Sequence, residues 1–255
     1  MGDLTVFLKK DGLSKDKGKA LDEIQKRAGL QKYIDSKEAA QDVKEMILLF
    51  DATGSMSGVW SQTLQGLDKL VDRVTALMPG IKISLTAYRD YCDKNELGIL
   101  ESLQATTDIG ELRAFINRIK CDGGGDAPEA VELALEQVLG RKNSFAVLVG
   151  DAPPHGVQDN IVEKDYRKII EAIAQEGIKV YTVLADWNNS AKVAFEEIAD
   201  KTKAQFFHLE RIDALVDVIS VAAAKTANRV SVLSDLIRKE QGGVLTENQK
   251  RLFLE

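Results

Sequence analysis

The sequence has few of the residues that build thiolate metal centres, disulfide frameworks or strongly basic surfaces. Its 255 residues include two cysteines, two histidines and four prolines. Cys92 and Cys121 lack metal-type spacing and predict free thiols in a reducing compartment, and two histidines make a zinc site a poor fit. Acidic residues outnumber basic ones by 40 to 34, which argues against binding of nucleic acid through phosphate contacts.

Long apolar runs are also missing. Runs such as 46–50 and 145–149 have the length of strands and fall far short of the roughly 20 residues that cross a bilayer. The opening residues MGDLTVFLKKDG have no apolar stretch after a basic start, so they do not resemble a secretory signal. We therefore expect a cytoplasmic protein without a membrane span. With 44% hydrophobic residues, the chain can still bury a sizeable core.

From Glu45 onward, short apolar runs alternate with longer amphipathic ones, as in strands and helices that take turns around a mostly parallel sheet. This pattern predicts a doubly wound α/β domain over residues 45–227, with helices on both faces. The run 97–103 follows its predecessor too closely for a crossover helix and predicts a short antiparallel edge strand. Residues 1–44 and 228–255 are predicted to be helical extensions. Helices within the domain are predicted over residues 59–78, 109–120, 128–139, 162–176, 190–201 and 212–226.

Four of the predicted parallel strands are followed by aspartate, namely Asp51, Asp90, Asp151 and Asp186. The carboxyl ends of parallel strands meet at one edge of a sheet, where ligands of such folds gather. Each aspartate taken alone fits a turn or a helix N-cap. Four carboxylates on one rim repel one another unless a cation balances them, and Arg89 is the basic residue interleaved there. The set therefore favours a bound divalent metal.

The loop after the first strand carries the sharpest signal. Asp51, Thr53 and Ser55 place a carboxylate and two hydroxyls at alternate positions, which can share one face. Oxygen ligands without histidine or cysteine suit a hard cation. We therefore expect Mg²⁺ here, with Mn²⁺ or Ca²⁺ as alternatives.

Three motifs resemble the loops of the metal-ion-dependent adhesion site in von Willebrand factor type A domains. The segment DATGS, which begins at Asp51, resembles the first loop of that site. The segment CDGGGDAPEA at 121–130 resembles the second loop, and GDAPPHG at 150–156 resembles the third. The resemblance covers roughly residues 45–225, and it implies a doubly wound fold with a divalent metal at the edge of the sheet.

The resemblance also implies the ligands residue by residue. Asp51, Thr53 and Ser55 would hold the metal from the first loop, and Asp151 from the third. Where many family members have a metal-binding threonine in the second loop, this sequence has Asp126. A further carboxylate would make the site more negative and less attractive to an acidic partner residue. Asp126 could instead cap the helix that follows it.

The loop motifs, together with the segment YRD that contains Arg89 and Asp90, are similar to those of intracellular type A modules, including modules attached to atypical alpha-kinases. Intracellular relatives commonly serve as adaptors in multiprotein assemblies, which implies a non-enzymatic role. We therefore expect a metal-dependent module that binds another protein through an acidic side chain of that protein. Nucleic acid, membrane and small-molecule substrate are not expected as partners.

Two other functions fit parts of the sequence. The segment FDATGS resembles the nucleophile loop of haloacid dehalogenase-type phosphatases, in which Asp51 would attack phosphorus beside Mg²⁺. The later acidic motif of those enzymes needs a second acid at the position that His155 occupies here. The third alternative is a structural assembly domain whose aspartates are only caps and turns.

Four residues near the same rim are weaker candidates for partner contact: Arg89, Asp90, His155 and Trp60. Arg89 could answer an acidic partner residue, although an ion pair with Asp90 or Asp93 is the preferred interpretation. His155 fits a surface turn better than a functional role. Trp60 and Trp187 follow strand-end aspartates, where they could line a binding surface or pack beneath the loops.

Overall fold

A computed structural model describes residues 43–95, 97–125, 127–156 and 165–254. Nearly all of the predicted N-terminal extension at 1–44 lies outside these described residues, and so does Asp126. One sheet of six strands forms the centre of the described part. The strands are Glu45–Asp51 (β1), Lys82–Tyr88 (β2), Leu100–Thr106 (β3), Ser144–Gly150 (β4), Lys179–Leu184 (β5) and Phe206–His208 (β6).

The strand order is β3-β2-β1-β4-β5-β6, which puts β1 in the middle between β2 and β4. All pairs of neighbouring strands are parallel except β2 and β3, which are antiparallel. The predicted doubly wound sheet with one antiparallel edge strand is therefore confirmed. The edge strand begins at Leu100 rather than at residue 97, because the amides of Leu97 and Gly98 both donate to the Asp93 carbonyl at 3.0 Å and belong to the turn before the strand.

Helices cover both faces of the sheet. Within the described residues they are Ser57–Leu77 (α1), Ile109–Arg118 (α2), Val131–Glu136 (α3), Tyr166–Gln175 (α4), Asn189–Lys201 (α5), Leu215–Thr226 (α6), Val230–Glu240 (α7) and Glu247–Leu254 (α8). None of these helices combines the length and the apolarity that a bilayer crossing requires.

The alternation of side chains along β1 explains why both faces need cover. Met46, Leu48 and Phe50 belong to one buried cluster, which also contains residues of α1, α2 and α6. Ile47 and Leu49 belong to a second buried cluster, which contains residues of α3, α4 and α5. Successive residues of a strand point to opposite faces, so an entirely apolar strand must be covered on both.

Three predicted helices begin later than expected, and the one predicted over 162–176 begins at Tyr166, after its N-cap Asp165. The helix predicted over 128–139 is reduced to α3: before it, the Glu129 amide donates to the Pro153 carbonyl at 2.9 Å, and after it residues 137–140 form turns. The segment just before α3 is thus hydrogen-bonded to the loop after β4. In the helix predicted over 212–226, residues Ile212–Ala214 form a 3₁₀ turn and α6 begins only after it.

The helices α7 and α8, in the segment predicted as the C-terminal extension, pack on α1 and α6 around a charge network centred on the buried Arg73. Arg73 on α1 is 1% exposed and donates to Asp217 on α6 at 2.6 Å and to Glu240 at the end of α7 at 2.7 Å. Gln249 on α8 donates to the other carboxylate oxygen of Asp217 at 2.9 Å. One guanidinium therefore connects three helices, and a fourth joins through Asp217.

We expect Arg73→Met to lower the free energy of unfolding by about 3 kcal/mol, because it leaves Asp217 without its buried ion-pair partner. Arg113→Met is the matched control, since Arg113 pairs with Asp68 at 2.6 Å but both side chains are exposed. The control should cost less than about 1 kcal/mol. Urea unfolding of the two variants measures the difference, and equal losses would contradict a structural role for the Arg73 network.

Candidate functional site

The loop after β1 places its polar side chains on one side, as the spacing predicts. Asp51 is fully buried at the end of the strand, and its Oδ1 accepts hydrogen bonds from the Thr53 amide at 2.8 Å and the Thr53 hydroxyl at 2.6 Å. The Ser55 hydroxyl lies 3.3 Å from that of Thr53 and is exposed. The three oxygen-bearing side chains thus run from the buried end of β1 to the surface.

Trp60 supports this loop from below. Its indole Nε1 donates to the backbone carbonyl of Asp51 at 2.6 Å, and its ring packs edge-to-face on Phe50 at a centroid distance of 5.5 Å. The side chain is 4% exposed. Trp60 therefore packs beneath the loop, and it offers no exposed surface to a partner.

The loop after β4 brings Asp151 beside Asp51. Asp151 is half-buried and follows β4, the direct neighbour of β1. Burial raises the pKa of Asp51 to about 7; the hydrogen bonds from Thr53 oppose this rise, and repulsion from Asp151 adds to it. Two of the four strand-end aspartates thus lie close enough to interact.

The glycine-rich second loop is held by Asp93, a residue to which the sequence analysis assigned no site role. Asp93 Oδ2 accepts a hydrogen bond from the Gly124 amide at 3.0 Å. Gly123 has a φ of +88°, and a Cβ there would lie 2.5 Å from Asp93 Cγ and Oδ2. The Gly54 amide donates to the Gly123 carbonyl at 3.4 Å, which joins the first and second loops.

Glu129 is a second residue that the sequence analysis missed. It is 4% exposed, and a Cβ on Gly124 would lie 3.1 Å from its Oε1 and 3.4 Å from Thr53 Cβ, so Glu129 faces the first loop across that glycine. Burial raises its pKa to about 9, and repulsion from Asp51 contributes. Its place within the motif GGGDAPEA was a usable signal, but its burial was not visible in the sequence.

The described residues provide two kinds of oxygen that could bind a metal, carboxyl and hydroxyl oxygens. No group of three or more histidine, cysteine, aspartate or glutamate side chains in this part of the chain is arranged to hold a metal by itself. The carboxyls of Asp51 and Asp151 are instead accompanied by the hydroxyls of Thr53 and Ser55. Within the same residues, Asp51 Oδ2 and Glu129 Oε2 are buried without a hydrogen-bond partner. Buried, unpaired carboxylate oxygens beside hydroxyls fit a hard cation.

Asp90 and His155 form a buried pair rather than a surface. His155 Nε2 donates to Asp90 Oδ1 at 2.7 Å, both residues are 2% exposed, and the imidazole packs edge-to-face on Tyr91. The expectation of a surface-turn histidine is wrong, because this pair ties the loop after β4 to the end of β2. Burial works against the ionised Asp90, but hydrogen bonds from Cys92, His155 and the Tyr91 amide keep its pKa below the ordinary value.

Arg89 is also buried, at 1% exposure. Its guanidinium donates to the Lys120 carbonyl at 2.8 Å and to the Glu101 carboxylate at 3.1 Å. The preferred ion pair with Asp90 or Asp93 is therefore wrong, because the antiparallel edge strand supplies Glu101 instead. All four weaker candidates for partner contact lie inside the protein in this structure.

The remaining strand-end aspartate and the nearby thiol have local roles. Asp186 is exposed and accepts a hydrogen bond from the Trp187 amide at 2.6 Å. The hydrogen bond to Asp90, together with desolvation, raises the pKa of the Cys92 thiol to about 12, so the thiol stays protonated at neutral pH. Asp186 acts as a turn former, and Cys92 is not an activated nucleophile.

Comparisons with known proteins converge on one family. The family profile described as von Willebrand factor type A domain matches residues 45–221. The chain is 29% identical over 160 residues to an ariadne-like RING finger protein of Acanthamoeba polyphaga mimivirus, which is 56% of this chain and 16% of that protein. It is 28% identical over 222 residues to hemicentin-1 of Homo sapiens, which is 81% of this chain and 4% of that protein. The chain thus spans a small part of these curated relatives.

A solved structure shows the same fold. The conserved hypothetical protein BatB from Bacteroides thetaiotaomicron aligns with a TM-score of 0.51 and 16% identity, over 72% of this chain and 99% of that one. At this identity the likeness concerns the fold alone.

We expect Gly123→Ala to destabilise the protein more than Gly80→Ala. Both glycines have positive φ, +88° and +81°, but a Cβ on Gly80 meets nothing within 4 Å. The control should cost only the backbone strain of about 1–2 kcal/mol, whereas Gly123→Ala must also displace the Asp93 carboxylate. Urea unfolding compares the two, and equal losses would contradict the close packing of Asp93 on the loop.

Without metal, we expect the stability of the protein to fall as the pH rises. Asp51 and Glu129 have folded-state pKa values of about 7 and about 9, above their ordinary values of 3.8 and 4.5. The folded protein therefore retains protons that the unfolded chain has released. This stabilisation is complete below about pH 4 and is lost as the pH passes through those folded-state values.

Melting temperatures in EDTA, measured from acidic to alkaline pH, check this dependence. Asp51→Asn should remove the part of the decline that ends near pH 7, and Glu129→Gln the part that continues to about pH 9. Asp186→Asn is the control, since its exposed carboxylate should leave the profile unchanged. If both test variants keep the full decline, the buried carboxylates are not its cause.

Proposed function

The chain belongs to the von Willebrand factor type A domain family, and on that premise we propose that it is a metal-dependent protein-interaction module. The metal would be Mg²⁺ or a similar hard cation, held by Asp51, Thr53, Ser55 and Asp151 directly or through water. The observation that carries the proposal is Asp51 Oδ2, a buried carboxylate oxygen without a hydrogen-bond partner among the described residues, beside two hydroxyls.

The electrostatics of the rim support a cation at this position. Burial and the neighbouring Asp151 disfavour the ionised form of Asp51, and a divalent cation would reverse that preference by balancing the charge. The described part contains no basic side chain that does so, because Arg89 is engaged by Glu101. Glu129, which faces Thr53 across Gly124, is a further carboxylate that could join the ligand set. Asp126 stays a prediction, since it lies outside the described residues.

The exposed end of the site determines how a partner would engage it. Ser55 is exposed while Asp51 and Thr53 are buried, so the site opens to solvent at Ser55. When bound there, the cation supplies a Lewis-acidic position that can accept a carboxylate oxygen in place of water. We therefore propose that the partner is a protein and that an aspartate or glutamate of the partner provides the contact. A cytoplasmic location also stays a prediction.

No observation favours the phosphatase alternative. Asp51 would have to reach a phosphorus atom, but its side chain is fully buried and one of its carboxylate oxygens is occupied by two hydrogen bonds from Thr53. The structural assembly domain differs from our proposal in a single property, which is metal binding. A direct metal titration therefore separates the two.

We expect Mg²⁺ to bind the protein and to stabilise it by about 2.7 kcal/mol at a concentration 100 times its dissociation constant. Calorimetric titration measures the binding, and thermal unfolding measures the stabilisation. The indole N–H signal of Trp60 in a nitrogen-15 correlation spectrum should shift on binding, because it is hydrogen-bonded to the Asp51 carbonyl.

Three variants assign the site. Asp51→Asn should weaken Mg²⁺ binding at least about tenfold, equivalent to about 1.4 kcal/mol, while Asp186→Asn should bind as the wild type does. Glu129→Gln should weaken binding if its carboxylate belongs to the ligand set. Absence of Mg²⁺ and Mn²⁺ binding in the wild type, or unchanged binding in Asp51→Asn, would overturn the metal site and favour the structural domain.

A further inference from the structure

Trp187 is the most exposed of the large hydrophobic side chains in the described part of the chain, at 78%. It follows Asp186 directly after β5. Tryptophan is enriched among the residues that dominate protein interfaces, where its ring becomes buried. An indole so exposed among the described residues is therefore a candidate for contact with a partner.

The indole is held in place although it is exposed. Its ring stacks on the imidazole of His208 at a centroid distance of 3.8 Å and an interplanar angle of 40°. Its backbone amide donates to Asp186 Oδ1 at 2.6 Å, and Asn188 caps the start of α5 by accepting from the Ser190 amide at 3.0 Å. One face of the ring is thus held in place. A partner that binds the indole would therefore lose little conformational entropy in ordering this side chain.

The position of Trp187 places it on the same rim as the candidate metal site. The Ala185 amide donates to the Gly150 carbonyl at 2.8 Å, so the segment leading to Trp187 runs beside the residue that precedes Asp151. Neighbouring strands lie about 5 Å apart, and β4 separates β5 from β1. A protein that covered the metal loops could therefore also contact the indole.

The charges around Trp187 indicate the chemistry of such a contact. Residues 45–227 contain 28 acidic and 19 basic side chains, and the exposed Asp186, whose carboxylate accepts from the Trp187 backbone amide, directly precedes the tryptophan. Two basic residues close in sequence to Trp187 and to His208 are engaged by acidic ones, since Lys192 pairs with Glu196 at 3.7 Å and Arg211 with Asp213 at 2.6 Å. A cation placed over the open indole face would meet both the ring quadrupole and a carboxylate.

We propose that Trp187 and Asp186 form a contact site for a basic side chain, arginine or lysine, of a protein partner. The cation would lie over the indole face that is not stacked on His208, with Asp186 as its counter-ion. The proposal shares with the proposed function the premise of a protein partner, but it does not require a bound metal. It also makes Trp187, rather than the buried Trp60, the tryptophan that a partner contacts.

The test uses the full chain in EDTA and three blocked tripeptides, Gly-Arg-Gly, Gly-Leu-Gly and Gly-Glu-Gly, as probes. The protein contains two tryptophans, so a nitrogen-15 correlation spectrum contains two indole signals, and that of the buried Trp60 serves as internal control. The arginine peptide should shift the Trp187 signal saturably, the leucine peptide should bind about two- to fivefold more weakly, and the glutamate peptide should not shift the signal.

Variants separate the indole contact from general attraction to an acidic protein. Calorimetric titration with acetylated triarginine should give about two- to fivefold weaker binding for Trp187→Leu, which keeps the net charge, and weaker binding for Asp186→Asn. Ile212→Ala, at another exposed apolar side chain, should bind as the wild type does. Equal binding to Trp187→Leu, or an equal shift with the leucine peptide, would overturn the proposal. Because no metal is present, neither result depends on the Mg²⁺ titration.

Discussion

The buried carboxylate at the end of the central strand is the constraint on which the rest of the site depends. β1 lies in the middle of the sheet and is covered on both faces, so Asp51, its last residue, is removed from water together with the apolar residues before it. A buried carboxylate is costly unless it is hydrogen-bonded or paired with a cation. Thr53 satisfies one of its oxygens, and the second oxygen is the physical reason for proposing a metal.

The three loops around that carboxylate are connected by contacts that the individual motifs do not contain. The Gly54 amide reaches the Gly123 carbonyl, and the Glu129 amide reaches the Pro153 carbonyl. Asp93 occupies the space that a side chain at Gly123 would fill. Several polar residues on the rim thus hold the loops in position, and a site built on such supported loops is preorganised for a ligand.

The two tryptophans show how residues in similar sequence positions acquire different roles. Each follows a strand-end aspartate, yet Trp60 lies under the first loop and Trp187 stands in solvent. The difference arises because α1 begins beside the core and turns Trp60 inward, where its indole binds the Asp51 carbonyl. Trp187 instead precedes α5 and stacks on His208 at the short edge strand. In the module that we propose, one rim would therefore offer two contacts of opposite preference, one for an acidic and one for a basic side chain.

Local pattern was enough to predict the alternation of strands and helices, the antiparallel edge strand and the acidic strand ends, because periodicity and position after a strand are properties of neighbouring residues. The alternate spacing of Asp51, Thr53 and Ser55 likewise placed their side chains together. Only the tertiary structure decided that Arg89 pairs with Glu101, that His155 is buried against Asp90, and that Glu129 faces the first loop. These outcomes depend on which distant segments the sheet order brings into contact, and on how much water their packing excludes, neither of which a stretch of sequence contains.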